Sequence, residues 1–185
     1  MPIWELYMDA EKYIELFRKA GELKKVARAG WMRRGVELPE SVADHSFRTA
    51  FIAMMLAERL DLDVLKLVKM CLVHDLAESV TGDITPFDGV GPGEKRKLEE
   101  AAVTELMKDI PGGGEVLELW REYEAGETPE AAAARRIDKI EMALQAREYQ
   151  EEFPEKDLAE FLSGMKEKSG IALLDEIAEL LKKQK

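Results

Sequence analysis

The chain holds two histidines, and each stands beside an aspartate: Asp44-His45 and His74-Asp75. The second pair continues an apolar run, Val64-Leu65-Lys66-Leu67-Val68-Lys69-Met70-Cys71-Leu72-Val73, and Glu78 follows shortly after. A helix that is apolar nearly all round is buried. A lone carboxylate on such a helix is costly unless it is paired, protonated or bound to a cation. On a helix, His74 and Glu78 stack on one face, with Asp75 about 100° round the axis. His45 shares a helical face with Val42, Ile52 and Leu56 and is expected to point inward. Two readings follow. The polar groups are satisfied structural pairs, or they are ligands of one divalent ion held between facing helices.

A further carboxylate from a third helix would complete such a site, and Asp138 in "RRIDKIEMALQ" fits. Ile137, Ile140, Met142 and Leu144 mark the core side of that segment. The plainer alternative pairs Asp138 with Arg135 or Lys139 on a solvated face, where an ion pair contributes little. An imidazole and carboxylate set suits Mn²⁺, Co²⁺, Fe²⁺, Ni²⁺ or Zn²⁺, and the carboxylates also admit Mg²⁺. No thiolate joins it, which argues against a structural zinc site. Cys71, the one cysteine, reads as a small core residue among Met70, Leu72 and Val73.

The elements that must position these residues read as helices throughout, so the fold class is all-α, a helical bundle. A first helix is expected over about 9–29, with Leu16, Phe17, Ala20 and Leu23 on one face, and Gly30, Gly35 and Pro39 break the chain after it. Ser41 caps a second helix to about Leu60, with Val42, Phe47, Phe51, Met54 and Met55 as its apolar contacts. Asp61 or Asp63 opens the third helix, which carries His74, Asp75 and Glu78. "TGDITPFDGVGPGEKRK" is a long loop rich in Gly and Pro, of the kind that carries function. A fourth helix starts near Glu94 and ends before Pro111-Gly112-Gly113-Gly114, and a short one covers about Glu115–Tyr123. Thr128-Pro129 starts the helix of Asp138, which runs to about Glu151. Amphipathic pieces near 155–168 and 170–183 follow, packing on the bundle or on a partner.

At 185 residues the chain suits one domain, residues 1–185, large enough to bury a core without disulfides. The net charge of −11 argues against nucleic acid or an anionic membrane as partner. A small anion held by a few local cations remains compatible with it. No stretch reaches the length of a membrane span, no signal-peptide pattern is visible, and the expected location is the cytoplasm.

The order His45, His74-Asp75, Asp138 resembles the HD-domain metal-dependent phosphohydrolases. The phrases "GWMRRGVELPESVADHSFRTA", "CLVHDLAESVTGDITP" and "RRIDKIEMALQAREY" are similar to those of their 5′-deoxynucleotidase subgroup, the YfbR-like and HDDC2-like proteins. This resemblance implies an HD-domain bundle that hydrolyses deoxyribonucleoside 5′-monophosphates, and a homodimer. It implies His45, His74, Asp75 and Asp138 as ligands of a divalent metal ion, and Glu78 as general acid or base. It also implies Asp83 as the reader of the deoxyribose and Trp31 as a wall of the nucleotide pocket. One position departs: Gly30 stands where bacterial relatives carry the phosphate-binding arginine. Arg33 or Arg34 is the expected replacement. Other HD hydrolases, acting on deoxynucleoside triphosphates, cyclic nucleotides or alarmones, stay open as alternatives, as does a nucleotide-binding module without turnover.

Overall fold

The computed structural model describes residues 3–163, 165 and 168–183. Among the described residues the regular structure is helical, and the one extended pairing is an isolated antiparallel bridge between Ala27 and Ser41. In chain order the helices are α1 (Ile3–Gly21), α2 (Ala29–Arg33), α3 (Val42–Leu56), α4 (Val64–Val73) and α5 (Glu78–Thr81). They continue as α6 (Pro92–Met107), α7 (Gly113–Ala125), α8 (Pro129–Glu152), α9 (Ala159–Ser163) and α10 (Ala172–Lys183). Short 3₁₀ turns cover Glu22–Lys24, Ala57–Leu60 and Pro86–Asp88.

The starts follow side-chain chemistry. Ser41 accepts the amide of Asp44 and Asp44 returns the bond to Ser41, a reciprocal cap that fixes the first turn of α3. Asp63 caps α4 through the Lys66 amide, and Thr128 caps α8 through Ala131 with Pro129 behind it. Thr85 and Asp88 build the same reciprocal cap inside the long loop, giving Pro86–Asp88 a turn of its own.

Helix α8 is the axis of the molecule. Ala131, Ala133, Ala134 and Ala143 keep its surface low, so α3, α4 and α10 close around Ile137 and Ile140. Ala53 of α3, Leu67 and Met70 of α4, and Leu174 and Ala178 of α10 fill this core. Cys71 is buried among them, and burial pushes its thiol up, as a core cysteine requires. Trp120, Val103 and Leu23 centre a second cluster joining α1, α6 and α7. A third cluster, of Trp31, Val36, Tyr149 and Leu158, lies beside the first turns of α3.

The structure departs from the sequence reading in five places. The first helix does not reach residue 29. Val26 O accepts from Val42 N at 2.8 Å and Arg28 N donates to Glu40 O at 3.0 Å, so residues 26–28 pair across to the chain entering α3. The third helix stops at Val73. His74 to Ala77 form a tightened turn, with Leu76 N on Val73 O at 3.0 Å and Glu78 N on Asp75 O at 3.0 Å. The expected apolar contacts of α3 are also turned round. Phe47, Phe51, Met54 and Met55 are exposed, while His45, Ser46, Thr49, Ala50 and Ala53 face inward beside Val42. On α1, Phe17 is exposed while Leu16 and Ala20 pack on Leu23. The piece expected over 155–168 appears as α9 alone, and residues 164, 166 and 167 lie outside the described residues.

Replacing Ser41 with alanine should lower stability by about 1 kcal/mol, the usual contribution of an N-cap hydroxyl. Urea denaturation of the variant beside the parent protein measures it, and an unchanged midpoint would show that the cap does not hold α3.

Candidate metal centre

Three stretches of chain meet beside a cavity of about 670 Å³: α3, the tightened turn after α4, and α8. His45 Nε2 lies 3.2 Å from Asp138 Oδ1 and 3.7 Å from Asp75 Oδ2. His74 Nε2 lies 3.2 Å from the same Asp75 oxygen. Ligand atoms of His45, His74 and Asp138 all fall within 4.8 Å of one another. The four residues singled out by spacing are therefore brought together.

The ring orientations are fixed from behind. His74 donates Nδ1–H to the Cys71 carbonyl at 2.8 Å. His45 donates Nδ1–H to the carboxylate of Glu141, which is fully buried and held in turn by Arg48 Nε at 2.8 Å. In the neutral ring each bond selects the tautomer whose Nε2 carries a lone pair. Both Nε2 atoms are buried and lack a hydrogen-bond partner among the described residues. Buried polar atoms are seldom left so, and two facing carboxylates make a cation the natural partner. The donor set and these two orphaned nitrogens fit a divalent ion.

The charge balance points the same way. Burial and Arg28 push His45 down, but Asp138 and Glu141 outweigh them and hold its imidazole up to about 9. Against burial, His74, Arg28 and His45 keep Asp75 well below the ordinary carboxylate range. Asp138 is held down too, against its burial, by Lys139, 3.2 Å away, and by both histidines. Without an ion, the imidazolium of His45 neutralises these carboxylates; a divalent cation would displace that proton.

Glu78, at the first turn of α5, is buried with Oε2 unpartnered. Burial, then Asp75 and Asp83, push its carboxyl up to about 10, with Arg28 and Lys95 opposing. Gly82 ends α5 at φ +72°, a conformation few side chains tolerate, and turns Asp83 back toward α2. There Asp83 Oδ2 accepts the Ala29 amide at 2.8 Å and ties the loop to the first turn of α2. Trp31 touches the cavity but is almost wholly enclosed, its Nε1–H donating to Glu40 Oε1 at 3.0 Å.

Arg33 and Arg34 are directed elsewhere. Arg33 pairs with Asp88 and lies over the Phe87 ring, and Arg34 holds Glu160 through two bonds. The cation that reaches the centre is Arg28, whose Nη1 sits 3.3 Å from Asp75 Oδ2. It is a fixed charge, since Asp75, Asp83, Glu78 and Asp138 outweigh the effect of its burial. Lys95 of α6 lines the same cavity, 3.4 Å from Glu99. Sequence reading passed over Arg28 and Glu141. Glu141 had a usable signal: it lies one helical turn from Asp138, on the same face of α8. Arg28 had none, because its position depends on the pairing of residues 26–28 with 40–42.

An all-helical bundle with two histidines and two aspartates converging on one point defines a metal-centre protein of the HD type. The comparisons agree: the HD domain matches residues 20–180, and the chain belongs to this family. It is similar to 5′-deoxynucleotidase HDDC2 of Dictyostelium discoideum, 44% identical over 149 residues, covering 76% of this chain and 78% of that protein. It is 41% identical to human 5′-deoxynucleotidase HDDC2 over 145 residues, covering 77% of this chain and 70% of the human one. Among solved structures, a conserved hypothetical protein from Pyrococcus furiosus superposes with a TM-score of 0.82 at 35% identity, covering 92% of this chain and 99% of that one.

Two outcomes follow. Glu141→Gln should weaken divalent-metal affinity about 10- to 100-fold, measured by calorimetry, because His45 exchanges a charged acceptor for a neutral amide and Arg48 loses its buried counter-charge. Glu78 holds its proton to higher pH folded than unfolded. Its contribution to stability is therefore complete below about pH 4.5 and fades as pH rises toward 10. Chelator-treated protein should lose about 1–3 kcal/mol between roughly pH 5 and pH 9, and Glu78→Gln should flatten that slope in urea denaturation.

Proposed function

We propose that this protein is a metal-dependent phosphomonoesterase that converts deoxyribonucleoside 5′-monophosphates to deoxynucleoside and phosphate. The observation that carries the reading is the pair of orphaned Nε2 atoms facing Asp75 and Asp138, with Glu78 and Arg28 beside them. The substrate class is supported by relatives named 5′-deoxynucleotidase that match about three quarters of the chain.

In this reading His45, His74, Asp75 and Asp138 hold the ion, drawn from Mn²⁺, Co²⁺, Fe²⁺, Ni²⁺, Zn²⁺ or Mg²⁺. When bound, it supplies Lewis acidity toward the phosphate and acidifies water. Arg28 neutralises the phosphate in place of the arginine missing at Gly30 and of Arg33, which is engaged by Asp88. Burial, Asp75 and Asp83 favour the protonated form of Glu78, the form that would donate to the leaving 5′-oxygen; such help contributes roughly 10²- to 10⁴-fold. Asp83, on the cavity wall, reads the sugar, and Trp31 supports that wall.

A homodimer is part of the proposal. Phe47, Phe51, Met54 and Met55 form an exposed stripe on the face of α3 turned away from His45, the kind of surface that marks an interface. No helix among the described residues is long and apolar enough to cross a membrane. With the acidic composition, this supports the cytoplasm as the working location.

Phosphate release should be metal-stimulated with dAMP, dCMP or dTMP, much weaker with ribonucleotides, and abolished in His74→Ala. Equal turnover of ribo- and deoxy-substrates would remove the role of Asp83, and tripolyphosphate release from deoxynucleoside triphosphates would select another HD activity. Arg28→Ala should raise KM for dAMP by about tenfold or more, as loss of a charge-assisted phosphate contact does. Phe51→Lys should shift the protein from dimer to monomer in sedimentation velocity. A monomeric parent protein would remove that part of the proposal.

A further inference from the structure

Gly30 precedes Trp31 on α2, and the structure fills the space beside it with a ring. A Cβ placed on Gly30 would lie 3.1 Å from Cε1 of Phe161 and 3.4 Å from its Cζ. Contacts that close require the ring to move, so the missing side chain at 30 and the presence of Phe161 are one feature. Phe161 belongs to α9, about 130 residues further along the chain. The neighbouring Glu160 is gripped by Arg34, which clasps α9 against α2. The Phe161 ring lies over Trp31 at a centroid distance of 3.9 Å, tilted by 42°, and Tyr149 meets Trp31 edge-on at 5.4 Å.

Trp31 has 1% of its surface exposed, so it offers almost no face to a ligand. Phe161 lines the same cavity as His74, Asp75, Glu78 and Arg28, and it is only half-buried. Two other rings line this cavity, but Phe87 carries Arg33 over its face and Tyr123 packs on His74; on the wall beside Trp31 the accessible ring is Phe161, with Trp31 and Tyr149 as its backing.

Resting on the nucleotidase reading above, we propose that Phe161 is the platform on which the nucleobase of the substrate stacks, a specificity-determining residue supplied by the C-terminal segment. A phenyl ring has a π-face but no hydrogen-bonding group, and every base has a π-face to set on it. Such a platform distinguishes a nucleotide from a bare sugar phosphate, and it discriminates weakly among bases. Broad acceptance of dAMP, dCMP and dTMP is the expected consequence.

The test compares dAMP with 2-deoxyribose 5-phosphate, which shares the sugar and phosphate but lacks the base. Affinities are measured by calorimetry on chelator-treated protein, where no turnover interferes, for the parent chain, Phe161→Leu and Phe161→Tyr. Leucine keeps apolar cover over Trp31 and removes the π-face; tyrosine keeps it. The preference for dAMP over the sugar phosphate should fall about tenfold in the leucine variant and persist in the tyrosine variant. A purely structural role would weaken both ligands together, or neither. An unchanged preference in Phe161→Leu overturns the inference, as does a parent protein that binds both ligands equally. Phosphate release is scored separately: base-dependent binding with no phosphate release leaves the platform standing and removes the nucleotidase reading.

Discussion

The buried bond between His45 and Glu141 is the interaction on which the centre depends. Glu141 has no exposure to water, and a carboxylate so placed is tolerable only with its charge matched and its oxygens occupied. His45 takes one oxygen and Arg48 the other. Arg48 then reaches out to Glu148 and Gln145, so a chain of charge-assisted bonds runs from the protein surface to the imidazole. The consequence is geometric. His45 can turn neither its ring nor its tautomer, and its Nε2 is left facing Asp75 and Asp138. A site made of rings free to swing would lose the close approach of donors that a small cation requires.

Two breaks in helical structure supply the rest of the site. Had the chain stayed helical from α1 to α2, Arg28 would sit on a helix face set by its own neighbours. The pairing of residues 26–28 with 40–42 pulls it out and brings its guanidinium to Asp75. The same bonds lead directly into the Ser41 cap, so Arg28 and His45 are positioned from one short stretch of backbone. The tightened turn after Val73 does the corresponding work for His74, Asp75 and Glu78. Bonds closing over three residues instead of four wind the chain more tightly than an α-helix. His74, Asp75 and Glu78 thereby all reach one cavity, although on an ideal helix Asp75 would stand well round the axis from the other two.

These two places also mark the limit of what the sequence discloses. Helix class and the caps at Ser41 and Thr128 are legible because each follows from local residue type; the convergence of His45, His74 and Asp75 is suggested by polar groups on apolar helices, and Asp138 joins them firmly only through the resemblance to the HD family. The exposed stripe on α3 is not. Phe47, Phe51, Met54 and Met55 satisfy the expectation for a buried face, but Val42, His45, Ala50 and Ala53 take the core side of that helix, where Ala50 and Ala53 join the core around α8. Arg28 and Phe161 are invisible for a different reason: each acquires its role from a contact with chain far away in the sequence. Arg33 and Arg34 attract attention by being adjacent to Trp31, yet Asp88 and Glu160 absorb their charge.

The last constraint is electrostatic and spans the whole molecule. A chain of net charge −11 that receives an anionic phosphate must reverse its own field locally. The cavity does so with few groups. Arg28 is buried against Asp75 and cannot lose its proton, Lys95 stands on α6, and the two imidazole Nε2 atoms lie where a divalent ion would add positive charge. In the metal-free protein Glu78 contributes by remaining uncharged, because its burial, and then Asp75 and Asp83, make a further negative charge costly. The opening quality of the HD turn, a histidine and two carboxylates at the end of an apolar helix, is thus part of one balance. In the metal-free protein the negative charge of Asp75 adds to burial in raising the proton affinity of Glu78, and a cation held beside Asp75 would act in the opposite sense.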